Sequence, residues 1–252
     1  MEALRICHLY PDLLNLYGDR GNLLSLCQRL KWRGLPYQLT RISLGEDFDP
    51  EAFDLVFLGG GQDYEQALLQ EDLLIKKGSA IKEAVLQDVV FLCICGGYQM
   101  MGKAYITAEG RRIECLGAID VITQAGKKRM IGNLVFKPQL DTLPTWLAAG
   151  FENHSGRTWP GSGVKPLGRV VKGFGNNGKD GTEGAIYRNV FCSYSHGSLL
   201  PKNPRLADEL LFRAFARMRP SFKRQDLSPL ADVFEEKAGT SILSLLHIRP
   251  DG

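Results

Sequence analysis

No run of apolar residues in this 252-residue sequence is long enough to cross a bilayer, which takes about 20 in a row. No Cys-x-x-Cys occurs, and the four histidines, His8, His154, His196 and His247, are scattered, so zinc-site spacing is absent. A GxxxxGK(S/T) loop for nucleotide phosphates is missing too. So is a strong charge of one sign: the formal net charge is +3, and the one tight basic run, Lys127-Lys128-Arg129, is too short to argue for nucleic acid. The first twenty residues put acids and a proline where a signal peptide needs a basic end and an apolar stretch. These absences predict a cytoplasmic protein with no metal and no cofactor of its own.

What is present has a clear rhythm. Apolar runs at 4–9, 54–58 and 89–93 alternate with helical spacing at 22–32 and 64–87, the latter broken near Gly78. Continuous apolar strands between helices imply a parallel sheet covered on both faces. From Gly117 to Tyr194 glycine is frequent and helical periodicity weak. Short strand candidates recur there at 118–123, 131–135, 169–171, 185–187 and 190–194, which predicts antiparallel strands added to the parallel sheet. A helix is expected over 204–218, with Leu206, Leu210, Leu211, Ala214 and Phe215 on one face, and a short one over 230–237 after a basic linker. The chain therefore divides into a domain at 1–218 and a C-terminal extension at 219–252. That extension packs on the domain, on a partner, or is a solvated tail.

Residues 91–102 read FLCICGGYQMMG. A nucleophile elbow needs small residues two before and two after its tip. Around Cys95 these are Cys93 and Gly97; around Cys93 they are Phe91 and Cys95, and Phe91 is too bulky. The pattern selects Cys95. A helix beginning at Gly96 or Gly97 points its free amides at the sulfur and favours thiolate. The Gly96 amide is placed for an oxyanion, with a second donor expected from Gly60 or Gly61 in the turn that ends the neighbouring strand. Such a thiolate needs a base. His196, where a strand-like run ends in Ser195-His196-Gly197, is the best placed histidine, on the expectation that it closes a strand of the same sheet. His8 reads as packed, His154 as a pocket candidate, and His247 is near the C-terminus.

In order along the chain, the stretches LYGDRGN (16–22), FLGGGQDYEQ (57–66), CICGGYQMMG (93–102), RMIGN (129–133), GFENHSGRT (150–158) and DGTEGAIYRNVFCSYSHGSLLPKNP (180–204) resemble class I glutamine amidotransferases. The likeness is to the cobyric-acid-synthase-like branch and, within it, to the glutaminase subunits of lipid II isoglutaminyl synthases. It implies a three-layer α/β fold, Cys95 as nucleophile, His196 as base and Arg129 as the contact for the glutamine α-carboxylate, which a guanidinium can bind in bidentate fashion. Many class I members place a Glu two residues after the histidine; here that position is Ser198. Either a Cys–His dyad suffices or an acid comes from elsewhere, with Glu183 and Glu152 as candidates. The resemblance further implies a heterodimer with a Mur-ligase-like synthetase subunit. ATP and magnesium would be bound by that subunit, and ammonia from glutamine would amidate D-glutamate of the lipid II stem peptide. A cobyrinate-type acceptor and a regulatory module without activity are the other readings open to the residues.

Overall fold

The computed structural model describes residues 2–61 and 68–249. Among them, six strands form one sheet: β1 (Leu4–Leu9), β2 (Tyr37–Ile42), β3 (Leu55–Leu58), β4 (Val90–Ile94), β11 (Ala185–Tyr187) and β12 (Val190–Ser193). Their order is β11-β12-β4-β3-β1-β2. All neighbours are parallel except the β11–β12 pair. Every residue of β3 and β4 is buried, as the uninterrupted apolar runs require. The α/β class read from the sequence is what the chain adopts.

Strand order positions the site. From β1 the chain crosses through α1 (Arg20–Trp32) to β2 at one edge; from β3 it crosses through α2 (Gly78–Leu86) to β4 in the opposite direction. Right-handed crossovers therefore put α1 and α2 on opposite faces. The reversal opens a crevice at the carboxyl ends of β1 and β3, the place where open α/β sheets bind ligands. The turns after β1, β3, β4 and β12 all reach it.

A second sheet supplies the other wall. It contains β5 (Ala104–Ile106), β6 (Arg112–Glu114), β7 (Val121–Pro138), β8 (Ala148–Pro160), β9 (Gly168–Lys172), β10 (Thr182–Glu183) and β13 (Ser195–His196). The strand expected at 118–123 starts only at Val121, and it and the one expected at 131–135 are parts of the single long β7, broken by a bulge between Ala125 and Met130 where it pairs with β8. The helix expected over 64–87 lies partly outside the described residues; within them it turns through a wide π-helical segment, Asp72–Lys76, before α2. After β13 come α3's later companions α4 (Pro204–Met218) and α5 (Val233–Leu245), α3 itself being the short Gly96–Met101 helix after β4. The last helix is longer than the expected 230–237. Among the described residues no helix is long and apolar enough to cross a membrane.

Candidate active site

Cys95 stands between β4 and α3 with φ 48° and ψ −101°, a conformation an L-residue adopts only under strain. The elbow is tied on both sides. The Cys95 amide donates to the Ser193 carbonyl (2.9 Å), the Gln99 amide to the Cys95 carbonyl (3.0 Å), and the Gly97 amide to the Gly59 carbonyl (3.2 Å). A Cβ on Gly97 would lie 2.7 Å from the Leu58 carbonyl oxygen and 2.8 Å from that of Gly59. Only a glycine lets the two turns approach this closely, which explains the small residue two after the cysteine. Cys93 is fully buried and faces Cys192 in register across β4 and β12.

His196 reaches the cysteine from the second sheet, not the first. Strand β12 ends at Ser193, and Glu183 accepts hydrogen bonds from the Ser193 hydroxyl (2.6 Å) and the Tyr194 amide (2.9 Å) where the chain leaves it. Ser195 and His196 then pair antiparallel with Glu152 and Phe151 of β8. The expectation that the histidine closes a strand of the parallel sheet is thus corrected: it sits at the joint between two sheets. Its ring is fully buried, and Nδ1 lies 3.0 and 3.1 Å from the two carboxylate oxygens of Asp19. Nε2 is buried without a hydrogen bond and is the nitrogen left for Cys95. Burial lowers the affinity of this ring for a proton, but the hydrogen-bonded Asp19 carboxylate and the neighbouring Cys95 sulfur outweigh it, and the pKa rises to about 10.

Asp19 is the acid that the reading of the sequence missed. It precedes α1 in the LYGDRGN stretch, is fully buried, and spends its carboxylate on His196 and on the Gly60 amide (3.0 Å) instead of capping the helix. Neither sequence candidate is near this role. Glu183 holds Ser193 and Tyr194, and Glu152 accepts from the Phe174 and Gly175 amides (2.6 and 2.9 Å). Ser198, at the position of the missing Glu, donates to the Gly18 carbonyl (2.9 Å), next to Asp19. In the sequence only the LYGDRGN stretch points toward Asp19, which lies 177 positions before His196.

The glycine turn is also corrected in part. With its amide directed at Asp19 and its carbonyl accepting from Leu16 (3.0 Å), Gly60 is not a free oxyanion donor in this conformation. It serves instead as close-packed floor: a Cβ there would lie 2.7 Å from His196 Cε1 and 3.5 Å from the Cys95 Cβ. Gly61 follows at the end of the turn, and Gly96 opens α3 directly beyond the sulfur.

Arg129 occupies the β7 bulge and is exposed. Its Nε donates to Asn153 Oδ1 (2.9 Å) and its Nη2 to the Asn153 carbonyl (3.2 Å). The Asn153 amide donates to the Tyr17 hydroxyl (2.6 Å), and the Tyr17 ring meets His196 edge-on at 5.0 Å. The other histidines stand apart. His154 stacks on Tyr194 (3.6 Å between centroids) and its Nδ1 bonds the Gly156 carbonyl (2.8 Å); His8 is buried against Phe57, its pKa lowered to about 4 by that burial; His247 lies beyond α5, exposed.

A cysteine on a strained elbow, a histidine held by a buried carboxylate and backbone amides at the sulfur can together attack an amide carbonyl and protonate the departing amine. Such an arrangement suits thiol-dependent transfer from an amide. Residues 5–204 match the CobB/CobQ-like glutamine amidotransferase domain, and the chain belongs to that family. It is 40% identical to the lipid II isoglutaminyl synthase (glutamine-hydrolyzing) subunit GatD of Staphylococcus aureus, over 92% of this chain and 93% of that one. Against the subunit of the same name from Streptococcus pneumoniae it is 43% identical, over 85% and 81%. A cobyric acid synthase of Pelotomaculum thermopropionicum is more distant, 33% identical over 57% of this chain and 29% of its own length. Among solved structures, a PurLQS structure from Thermotoga maritima has a chain that superposes with a TM-score of 0.56 at 17% identity, covering 88% of this chain and all of that one. A glutamine amidotransferase from the same organism superposes at 0.53 and 14%, covering 98% and 96%. These two speak to the fold.

Proposed function

We propose that the chain is the glutaminase subunit of a lipid II isoglutaminyl synthase. The observation that carries the reading is the Cys95 elbow set against a His196–Asp19 pair; the GatD relatives, named as glutamine-hydrolyzing subunits, agree with it. The Cys95 sulfur attacks the side-chain amide carbon of L-glutamine, and the negative charge passes to the amide oxygen. Backbone amides at Gly61 and Gly96 are the donors assigned to that oxygen. His196 gives its proton to the nitrogen, the C–N bond breaks and ammonia leaves a thioester. His196 then takes a proton from water, which cleaves the thioester to glutamate and restores the thiol. Asp19 keeps the imidazole in the tautomer and orientation both half-reactions need. Arg129 receives the α-carboxylate.

Ammonia needs an activated acceptor. A separate Mur-ligase-like subunit, binding ATP and magnesium, would form an acyl phosphate on D-glutamate of the lipid II stem peptide, which ammonia converts to the D-isoglutaminyl product. The test is glutamine-dependent ammonia release by the wild type and Cys95→Ala, each alone and with that subunit. Release that requires Cys95 and rises with the partner supports the reading; Cys95→Ala turnover near wild type would sink it.

A further inference from the structure

Two side chains at the mouth of the cleft remain without a role, Tyr17 and Asn153. Each lies in a stretch singled out in the sequence, LYGDRGN and GFENHSGRT, and each comes from a different wall. Tyr17 sits on the turn after β1, in a left-handed conformation (φ 53°) that holds its ring up, 45% exposed. Asn153 is on β8, two residues from Phe151, the register partner of His196. Their hydrogen bond at 2.6 Å closes a bridge between the first sheet and the second, directly above the histidine.

The bridge has a third member. Arg129 projects from a bulge that puts residues 126–129 of β7 opposite the single residue Ser155 of β8. An exposed arginine on such a segment loses about 2 kcal/mol of rotamer freedom when it is fixed. Asn153 fixes it twice, through Oδ1 to Nε and through its own carbonyl to Nη2. Two of the five guanidinium hydrogens are used, which leaves the Nη1 edge for a planar anion. We propose that Tyr17 and Asn153 are positioning residues that hold the Arg129 guanidinium over the Cys95–His196 cleft, so that the substrate is gripped by its carboxylate while its amide meets the sulfur. The inference rests on the functional reading above, which supplies the amide substrate. It predicts selectivity for an amide that carries a carboxylate over one that does not.

The experiment is steady-state ammonia release by the full chain with its synthetase subunit. It compares wild type, Tyr17→Phe, Asn153→Ala, Arg129→Ala and the double variant Tyr17→Phe/Arg129→Ala. Two substrates are used: L-glutamine and its α-carboxamide analogue, which has no carboxylate. Tyr17→Phe removes one hydroxyl and keeps the ring. The expected result is a KM for glutamine about five- to tenfold higher in Tyr17→Phe and Asn153→Ala, with kcat within about threefold, the size of one or two lost hydrogen bonds. The preference for glutamine over the analogue shrinks by the same factor. In the Arg129→Ala background Tyr17→Phe adds nothing further, because its effect passes through the arginine. A tyrosine that merely packs would lower turnover equally in both backgrounds and leave the preference alone, and that overturns the proposal. Unchanged KM and preference in an active enzyme overturns this inference without touching the glutaminase reading. No Cys95-dependent release from wild type overturns both.

Discussion

At the buried His196 ring, desolvation opposes the charged form while Asp19 and Cys95 favour it, and the partners win. The raised pKa fixes a sign. With an ordinary value near 6.5 and a folded value of about 10, His196 contributes stability that is whole below pH 6.5 and is lost as pH rises through 10. The Tm gap between wild type and His196→Gln should therefore be widest near pH 6.5 and close toward pH 10; a gap that widens with pH would contradict the pairing. The acid at this site is tested by comparison. Asp19→Asn keeps the shape but removes the charge and replaces one of the two oxygens shared by Nδ1–H and the Gly60 amide with a donor, and kcat should fall about 10²- to 10⁴-fold. Glu183→Gln should leave turnover alone and act on stability. Burial first, and then the nearby Glu152, raise the Glu183 pKa to about 7 against the hydrogen bonds that lower it. Its contribution is present below pH 4.5 and is lost as pH rises through 7, so Glu183→Gln should gain Tm relative to wild type at pH 8 more than at pH 5. Calorimetry at the two pH values, beside ammonia release, reads both variants. Cys95 and His196 were legible because a tip residue with small flanks, and a histidine ending a strand, leave local marks. The role of Asp19 was not, because a pairing across 177 residues leaves none.

The elements show the same division. Strands β3 and β4 are buried on both faces and announce themselves as apolar runs. Strand β8 does not, although its burial alternates strictly from Phe151 to Thr158. Its inward positions are Glu152, His154, Gly156 and Thr158, held by hydrogen bonds at Glu152, His154 Nδ1 and Thr158 and by the His154 stack on Tyr194, so the period of two exists in burial and not in hydrophobicity. The long β7 was read as two pieces because the bulge interrupts its pattern. The elbow is an element-scale device as well, since α3 and the glycine turn touch backbone to backbone at Gly97. A methyl group there has carbonyl oxygens as neighbours, not side chains that can swing aside. Gly97→Ala should cost about 1–3 kcal/mol. A displacement of about 1 Å in the cysteine should lower kcat by about 10²-fold. Urea denaturation and ammonia release check the pair; a variant with wild-type turnover would show that the turns can part without consequence.

Across the whole molecule, the segment after α4 is fastened by charge. Arg29 of α1 is 1% exposed and bonds Asp208 of α4 through Nε and Nη2, both at 2.7 Å, and Asp232, the residue before α5, through Nη1 at 2.5 Å. Arg33 adds Asp208 (2.7 Å) and the Ser228 carbonyl (2.6 Å). From this anchor α5 runs back over the Leu200–Lys202 turn, so close that a Cβ on Gly239 would lie 2.9 Å from the Lys202 carbonyl oxygen. Lys202 in turn holds the Gly197 and Ser198 carbonyls, directly after the histidine. The extension thus braces the loop that carries the base, through contacts no local pattern in 219–252 could have announced. Removing the Arg29 guanidinium leaves Asp232 without its cation and Asp208 with Arg33 alone, and breaking a buried ion pair from one side costs about 3–5 kcal/mol. Because Asp208 and Asp232 keep 26% and 16% exposure, water recovers part of that, and the lower end applies. Arg29→Ala should therefore lose about 3 kcal/mol in urea denaturation, expose 219–252 to protease before the domain unfolds, and lower kcat together with the loss of that docking. Cleavage no faster than in wild type would mean that α5 is held by its packing on β8 and the 200–202 turn, with the arginine serving α4 alone.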